Sequence, residues 1–329
     1  MTNRRIVLAA RPERAASAAD FRLEAAPVRS PEDGEILVAN RFLSLDPYMR
    51  GRLNEGPSYA APQALDAPMG GGTVGEVLRS RDAKFKPGDW VAGMGGWQTH
   101  CTSAGREWRI VDAVAAPPSA YLGALGMPGV TAWMGLKNIL SPKPGETLVV
   151  SAATGAVGSV VGQLAKHAGA RVVGIAAGRE KCAYAVEGLG LDACVDHKDP
   201  AFAANLKAAL PNGVDCLFEN VGGQPFAQAT RRLNDFARIA VCGLIASYEG
   251  ALTGLPDLRL VLVRRCRIEG FIVSDRLDQW GEALGALTGA MRAGRLNYRE
   301  TVLEGLDSAP QGLVDLLHGA NFGKMVVRI

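Results

Sequence analysis

The sequence predicts an α/β protein with a doubly wound parallel sheet of six strands, preceded by a small all-β domain. Three observations carry this. From about residue 123 onward, short apolar runs rich in β-branched residues alternate with amphipathic stretches of helical length. Before that point Gly and Pro are frequent, strand patterns are short and no long helical pattern appears, which is the texture of a barrel or sandwich. At residues 147–167 a strand, a glycine turn and a helix follow one another directly. The expected division is a first domain over 1–122, completed by strand-like pieces at 297–329, and a second domain over 123–296.

In the first domain, strands are expected at 35–39, 72–79 and 89–92, punctuated by the turns Pro31-Glu32-Asp33-Gly34 and Lys86-Pro87-Gly88-Asp89. Gly70-Gly71-Gly72 marks backbone passing close to something.

The second domain opens on the run Thr147–Ser151, apolar and β-branched, as in a strand buried on both faces. The turn Ala153-Thr154-Gly155-Ala156-Val157-Gly158 follows. Gly155 allows a sharp reversal, Gly158 leaves no Cβ between a phosphate and the helix N-terminus, and Gly162 allows helix and strand to approach. The usual three-glycine spacing is altered, because Ala153 stands at its first position. The helix carries Val157, Val160, Val161, Leu164 and Ala168 on one stripe, with Lys166 and His167 facing away. Further strands are expected at 171–176, 193–195, 214–218, 237–242 and 267–273. Helices are expected at 179–189, 201–210, 224–233 and 275–293, the last with Leu277, Trp280, Leu284, Leu287 and Met291 on one side. In such a sheet the ligand lies at the carboxyl ends of the strands.

The second strand ends in Ile175-Ala176-Ala177-Gly178-Arg179, with Lys181 just beyond. A sheet that binds NAD places an Asp or Glu here for the ribose hydroxyls, and none is present. Gly178, Arg179 and Lys181 instead favour a 2′-phosphate, so NADP(H) is the expected cofactor.

Composition narrows the alternatives. With 329 residues, 48% apolar and 21% charged, the chain has core enough for two domains. A net charge of +3 is too small to imply a nucleic-acid partner. The one tight basic cluster, Arg264-Arg265-Cys266-Arg267, reads as solvated or as contacting phosphate at a domain cleft. No apolar stretch reaches membrane-span length, and the run after Arg4-Arg5 stops at Ala10, too short for a signal peptide. A cytoplasmic protein without a membrane partner is expected, its six scattered cysteines reduced and mostly in the core. No residues have the spacing of a catalytic or structural zinc site, and the adjacent pair His100-Cys101 reads as structural, so no metal is expected.

Five segments carry a family resemblance: Ser44-Leu45-Asp46-Pro47-Tyr48-Met49-Arg50, the glycine turn from Ala152 to Gln163, Phe218-Glu219-Asn220-Val221-Gly222-Gly223, Cys242-Gly243-Leu244-Ile245-Ala246-Ser247-Tyr248, and Asn321-Phe322-Gly323-Lys324. On these the chain resembles the zinc-independent branch of the medium-chain dehydrogenase/reductase superfamily, in its prostaglandin reductase, alkenal double-bond reductase and curcumin reductase group. The resemblance implies a GroES-like first domain, a Rossmann second domain, a cleft between them and a homodimer. It implies that Lys181 holds the 2′-phosphate, that Asn220 and the Cys242-Gly243 segment line the cofactor, and that Phe271 to Val273 and Asn321 flank the nicotinamide. Tyr48 and Tyr248 would face the substrate. His197 stands where the family often has a tyrosine near the adenosine phosphate, and the loop 249–255 is not distinctive.

The expected activity is NADPH-dependent reduction of the carbon–carbon double bond of α,β-unsaturated aldehydes or ketones. A quinone reductase on the same fold and a non-catalytic NADPH-binding protein are the rival readings. Tyr248 follows the fifth strand, at whose carboxyl end the nicotinamide half of a cofactor belongs. A phenol with a reference pKa of about 10 stays protonated and can donate to an enolate oxygen. Packing against substrate, with the cofactor ribose as donor, is the alternative for Tyr248, and Tyr48 reads as a pocket wall.

Overall fold

The computed structural model describes residues 1–56, 58–250 and 257–329. The chain forms two units, Met1–Gly123 with Glu300–Ile329, and Ala124–Arg299.

The first unit begins with strands β1 (Thr2–Leu8), β2 (Phe21–Pro27), β3 (Glu35–Ser44), β4 (Thr73–Ser80), β5 (Trp90–Gly93), β6 (His100–Ala104) and β7 (Trp108–Ile110). β1 and β2 form an antiparallel pair that the sequence pattern did not reveal, since charged residues crowd both strands. β3 is longer than its expected span of 35–39 and organises the rest. One of its edges pairs with β4, and the other is shared by β6 over 35–39 and by the C-terminal strand over 42–44. The handover falls at buried Asn40, whose Nδ2 donates to Gln98 O (2.8 Å) and whose Oδ1 accepts from Thr73 Oγ1 (2.9 Å). What passes close to the triple glycine is Trp97: a Cβ on Gly71 would stand 3.1 Å from its ring.

The second unit opens with α1 (Met127–Met134), which the sequence reading left without an element. The alternating array follows as β8 (Thr147–Ser151), α2 (Gly158–His167), β9 (Arg171–Ala176), α3 (Arg179–Glu187) and β10 (Ala193–Asp196). It continues through α4 (Phe202–Ala209), β11 (Val214–Glu219), α5 (Gly223–Thr230), β12 (Leu233–Val241), β13 (Arg267–Gly270) and α6 (Trp280–Arg292). The six strands are parallel in the order β10-β9-β8-β11-β12-β13, as expected for a doubly wound sheet, and the order reverses between β8 and β11.

Three details differ from expectation. The sixth strand stops at Gly270, so Phe271, Ile272 and Val273 leave the sheet. A 3₁₀ stretch, Val273–Gln279, kinked within at Arg276, precedes α6, and Leu277 in it is 65% exposed; the packed face of α6 is Ala283, Leu287 and Ala290. On α2 the buried face is Val160, Val161, Gln163 and Ala165, while Leu164 is half-buried and Ala168 exposed. The polar Gln163 is buried because its amide exchanges two hydrogen bonds with the Asn297 backbone, at 2.8 and 2.7 Å.

The first unit is completed by β14 (Glu300–Glu304), α7 (Ala309–Leu317) and β15 (Lys324–Arg328). α7, also not expected from the sequence, buries Leu313 and Leu316 with Leu43, Leu45, Met49 and Met325. Next to this core lies a buried ion pair: Lys324 Nζ donates to Asp46 Oδ1 (2.8 Å) and Leu45 O (2.6 Å), and Ser44 Oγ donates to the other Asp46 oxygen. It ties β15 to the segment entering the short helix Tyr48–Arg52.

Removing one partner of a buried pair strands the other charge, a loss of about 3–5 kcal/mol. Lys324→Met should lower unfolding stability by about that amount, and Asp46→Asn with Lys324→Met should recover part of it. Urea unfolding checks both; a Lys324→Met variant as stable as wild type would contradict the role given to the pair.

Candidate active site

The strand order reverses between β8 and β11, and there the sequence supplies Ser151 at the end of one strand and Glu219 at the end of the other. Ser151 Oγ donates to Glu219 Oε1 at 2.8 Å, bridging the two strand ends. The same carboxylate oxygen accepts the backbone N–H groups of Val221 (2.6 Å) and Gly222 (2.7 Å). Asn220 is fixed twice, its N–H donating to Ser151 Oγ and its Nδ2 to Ser151 O, both at 2.8 Å. Glu219 is fully buried, and its Oε2 has no hydrogen-bond partner among the described residues. Burial pushes its carboxyl above the usual carboxylate range, against the downward pull of its N–H and hydroxyl donors.

Beside this clamp runs the glycine turn. Ala152 adopts a left-handed conformation (φ +50°), and Gly155 N–H closes the turn on Ala152 O at 2.8 Å. A Cβ on Gly158 would stand 2.2 Å from that same carbonyl, so the turn itself demands glycine there. Gly162 faces Leu191, whose side chain would lie 2.9 Å from an added Cβ. Thr154 is buried, while Gly155, Ala156 and Val157 are half-buried. Among the described residues no side chain caps α2; Ser159 N–H and Val160 N–H donate to Gly155 O (3.0 Å) and Val157 O (3.1 Å), and the positive dipole end of the helix faces the turn.

A second corner forms where β9 and β10 end. Gly178 (φ +91°) precedes α3 and donates its N–H to Asp196 Oδ1 at 2.8 Å. Lys198 N–H donates to the same oxygen at 2.9 Å. An acid is therefore near the corner after all, supplied by β10 instead of β9, and its Oδ1 accepts both backbone donors. Burial lowers the Lys181 pKa, and the neighbouring charge of Lys198 lowers it further. Burial likewise lowers the pKa of His197, with Lys198 and Lys181 adding to the effect and Asp196 opposing it. Two lysines close together beside a histidine are the kind of side chains that could hold an anionic phosphate. Lys198 was missed because its sequence neighbourhood, Asp196 to Asp199, is mixed in charge.

At the end of β12, Cys242 N–H and Gly243 N–H both donate to Glu219 O, at 2.9 and 3.2 Å. Burial and the Glu219 charge push the Cys242 thiol up to about 12, so it stays protonated. A Cβ on Gly243 would stand 3.4 Å from Asn220 O and 3.6 Å from Tyr248 Oη, which places the phenol tip over the Gly243 backbone. Tyr248, half-buried, is the C-cap of the 3₁₀ turn Ile245–Ser247. Phe271 packs edge-on against Phe218 (6.1 Å between centroids), and Val273 opens the next 3₁₀ stretch. Asn220, Cys242 and Gly243 thus gather around Glu219, and the Tyr248 phenol tip lies over Gly243. The loop 249–255 lies beyond the described residues from 251 onward.

In the first unit, Tyr48 and Asn321 flank the two ends of the Asp46–Lys324 pair in sequence. Burial, with Asp46 adding to it, pushes the Tyr48 phenol well above its usual range, and the Arg52 guanidinium lies 5.1 Å from its ring centroid. Asn321 Nδ2 donates to Gly323 O at 2.7 Å, shaping the turn that enters β15. The basic cluster resolves into surface pairs: Arg264 and Arg265 both bond Asp235, and Arg267 faces Glu269 at 3.7 Å. Among the described residues no three His, Cys, Asp or Glu side chains converge as a metal site. Among them also, no helix is long and apolar enough to cross a membrane.

A doubly wound sheet with a glycine turn at its switch point defines the dinucleotide-binding oxidoreductase class. Residues 4–111 match the family described as the N-terminal domain of oxidoreductase, and residues 156–289 the family described as zinc-binding dehydrogenase. The chain is 45% identical to an NADPH-dependent curcumin reductase of Escherichia coli, covering 99% of this chain and 97% of that protein. It is 41% identical to a 2-alkenal reductase (NADP(+)-dependent) of Nicotiana tabacum, covering 92% and 90%. The crystal structure of CurA from Vibrio vulnificus in complex with NADPH superposes with a TM-score of 0.94 at 46% identity, covering 99% and 98%. This chain belongs to the medium-chain dehydrogenase/reductase superfamily, in its group of curcumin, alkenal and prostaglandin reductases.

The Glu219 clamp makes a pH-dependent prediction. A carboxyl whose pKa is higher folded than its unfolded value of about 4.3 holds a proton the unfolded chain releases, so stability falls as pH rises from about 4 through the folded pKa. Glu219→Gln keeps an acceptor without the charge and should lose less stability between pH 5 and 8 than wild type does. Glu219→Ala, which strands three donors, should cost about 2–4 kcal/mol at either pH. Urea unfolding at the two pH values checks this; identical pH slopes for wild type and Glu219→Gln would refute the raised pKa.

Proposed function

We propose that this chain is an NADPH-dependent reductase of the carbon–carbon double bond in α,β-unsaturated aldehydes and ketones. One observation carries the reading: the full-length likeness to reductases named for NADPH, curcumin and 2-alkenals, in a chain whose β9–α3 corner gathers Lys181 and Lys198. Bound NADPH supplies a hydride, which goes to the β-carbon of the substrate. The protein's share is placement and charge. Lys181, with Gly178 and His197 beside it, holds the 2′-phosphate. The uncapped start of α2, reached through Thr154 to Gly158, faces the pyrophosphate. The Glu219–Ser151 clamp fixes Asn220 and the Cys242-Gly243 segment, which line the cofactor, and Phe271, Val273 and Asn321 flank the nicotinamide. Tyr248 donates to the substrate oxygen as negative charge collects there, and Tyr48, kept protonated by burial, forms a wall. No metal takes part, so a chelator should leave turnover unchanged.

We also place the protein in the cytoplasm, in keeping with its free cysteines, and read it as a homodimer. All four residues of the edge strand β13 are exposed, as are Leu258 (74%) and Leu262 (78%) on the short helix before it. The open edge of β13 offers backbone for pairing and the leucines beside it offer apolar surface, and a second copy related by a two-fold axis would cover both.

NADPH oxidation measured with an enone, a quinone and no acceptor tests the activity; preference for the quinone, or no acceptor dependence, would overturn it. Lys181→Ala removes one charged hydrogen bond of about 1.5–3 kcal/mol and should raise KM for NADPH roughly ten- to a hundredfold while barely altering KM for NADH. Equal effects on both cofactors would sink the phosphate assignment. Tyr248→Phe keeps the ring and removes the donor, and kcat on an enone should fall by roughly 10² with KM for NADPH little changed. Near-full kcat would make Tyr248 a packing residue and leave the ribose hydroxyl as donor.

A further inference from the structure

Two cysteines sit inside the β9–α3–β10 corner and take no part in the reaction. Cys182 follows Lys181 in the first turn of α3, with its N–H donating to Gly178 O at 3.2 Å. Cys194 lies on β10, the strand that ends at Asp196 and leads into His197 and Lys198. Their thiols are hydrogen-bonded to each other across the helix–strand interface, and both residues are half-buried, within reach of a small oxidant.

The pair is chemically asymmetric. The hydrogen bond from Cys194 and a second from the Ala176 backbone hold Cys182 below the usual thiol range, at a helix start that further favours a thiolate. The same contact, and then burial, hold Cys194 above that range. Cys101, Cys216, Cys242 and Cys266 are all shifted upward, chiefly by burial. Cys182 is therefore the thiol most readily ionised, and it has a second thiol in contact, the arrangement of a nucleophilic and a resolving cysteine.

We propose that Cys182 and Cys194 form an oxidative modification site, closed to a disulfide by hydrogen peroxide or an organic hydroperoxide, and that closure weakens the hold of this corner on the 2′-phosphate of NADPH. The Cys182 thiolate attacks a peroxide oxygen; an S–O bond forms, the O–O bond breaks, and the leaving hydroxide or alkoxide takes a proton. Cys194 sulfur then attacks the sulfenic sulfur; the S–S bond forms, the S–O bond breaks, and the leaving hydroxide takes the Cys194 proton to give water. Two thiols lose two electrons and the peroxide gains them. Bond formation draws the first turn of α3, and Lys181 with it, toward β10. The second half of the proposal rests on the phosphate reading of this corner; the first half does not.

The sequence provides a direct readout, because no Lys or Arg lies between Lys181 and Lys198 and trypsin releases both cysteines in one peptide, 182–198. The reduced full-length protein is treated with a small excess of hydrogen peroxide, alkylated, digested and weighed, and NADPH and NADH affinities are titrated by nucleotide fluorescence. The expected result is a peptide 182–198 two hydrogens lighter and closed to alkylation, with a several-fold rise in Kd for NADPH, none for NADH, and recovery with dithiothreitol. Cys194→Ser should leave peroxide unable to remove the two hydrogens or to change Kd reversibly. A peptide that stays doubly alkylatable overturns the site. A disulfide that leaves the NADPH Kd unchanged overturns the coupling, unless Lys181→Ala also leaves it unchanged, in which case the phosphate reading itself has failed and the disulfide stands alone.

Discussion

The buried Glu219 carboxylate is the constraint on which the cofactor side of the sheet depends. Parallel strands β8 and β11 diverge in topology at their carboxyl ends, and the chain must leave each in a different direction. One oxygen of Glu219 accepts the Ser151 hydroxyl and two successive backbone N–H groups, so the exits of both strands are set by a single side chain. The Glu219 carbonyl then receives the N–H groups of Cys242 and Gly243, which brings in the exit of β12 as well. Burying an acid with one oxygen unpartnered is unfavourable, and the raised pKa records that cost. What offsets it is geometry: Asn220, Gly222 and Gly243 are held in place, and the Tyr248 phenol tip lies over Gly243.

The first unit uses the same device with opposite charges. Asp46 and Lys324 are far apart in the chain, and both are buried. Their contact explains why two motifs so distant in sequence go together: one supplies the acid and the other the base of one pair. Tyr48 and Asn321 inherit their positions from it. Each unit therefore holds one buried polar cluster, with apolar packing around it.

The parallel array was legible because strands buried on both faces are continuous apolar runs with glycine or charged residues at their ends, so β8 and β9 fall on the expected residues. Shorter or one-sided elements were not. β1 and β2 alternate charged and apolar residues too irregularly, and α7 begins on Ala309-Pro310, which reads as a break until the N1 preference of proline is considered. Leu277 has the right spacing for the α6 stripe, but it lies in the kinked 3₁₀ stretch before α6 and stays exposed. The glycine turn and the Gly178–Lys181 corner could be read from local order alone. The Glu219 clamp, Asp196 and Lys198 could not, since their meaning lies in partners on other strands.

The central claim, that hydride passes from NADPH to the β-carbon of a conjugated carbonyl compound, is tested most directly by isotope. The enzyme is given an α,β-unsaturated ketone and NADPH deuterated at the transferred position, and the product is read by NMR. The account predicts a saturated ketone with deuterium on the β-carbon and solvent hydrogen on the α-carbon. Deuterium on the carbonyl carbon of an allylic alcohol, or oxidation of NADPH with no deuterium in the product, would contradict it.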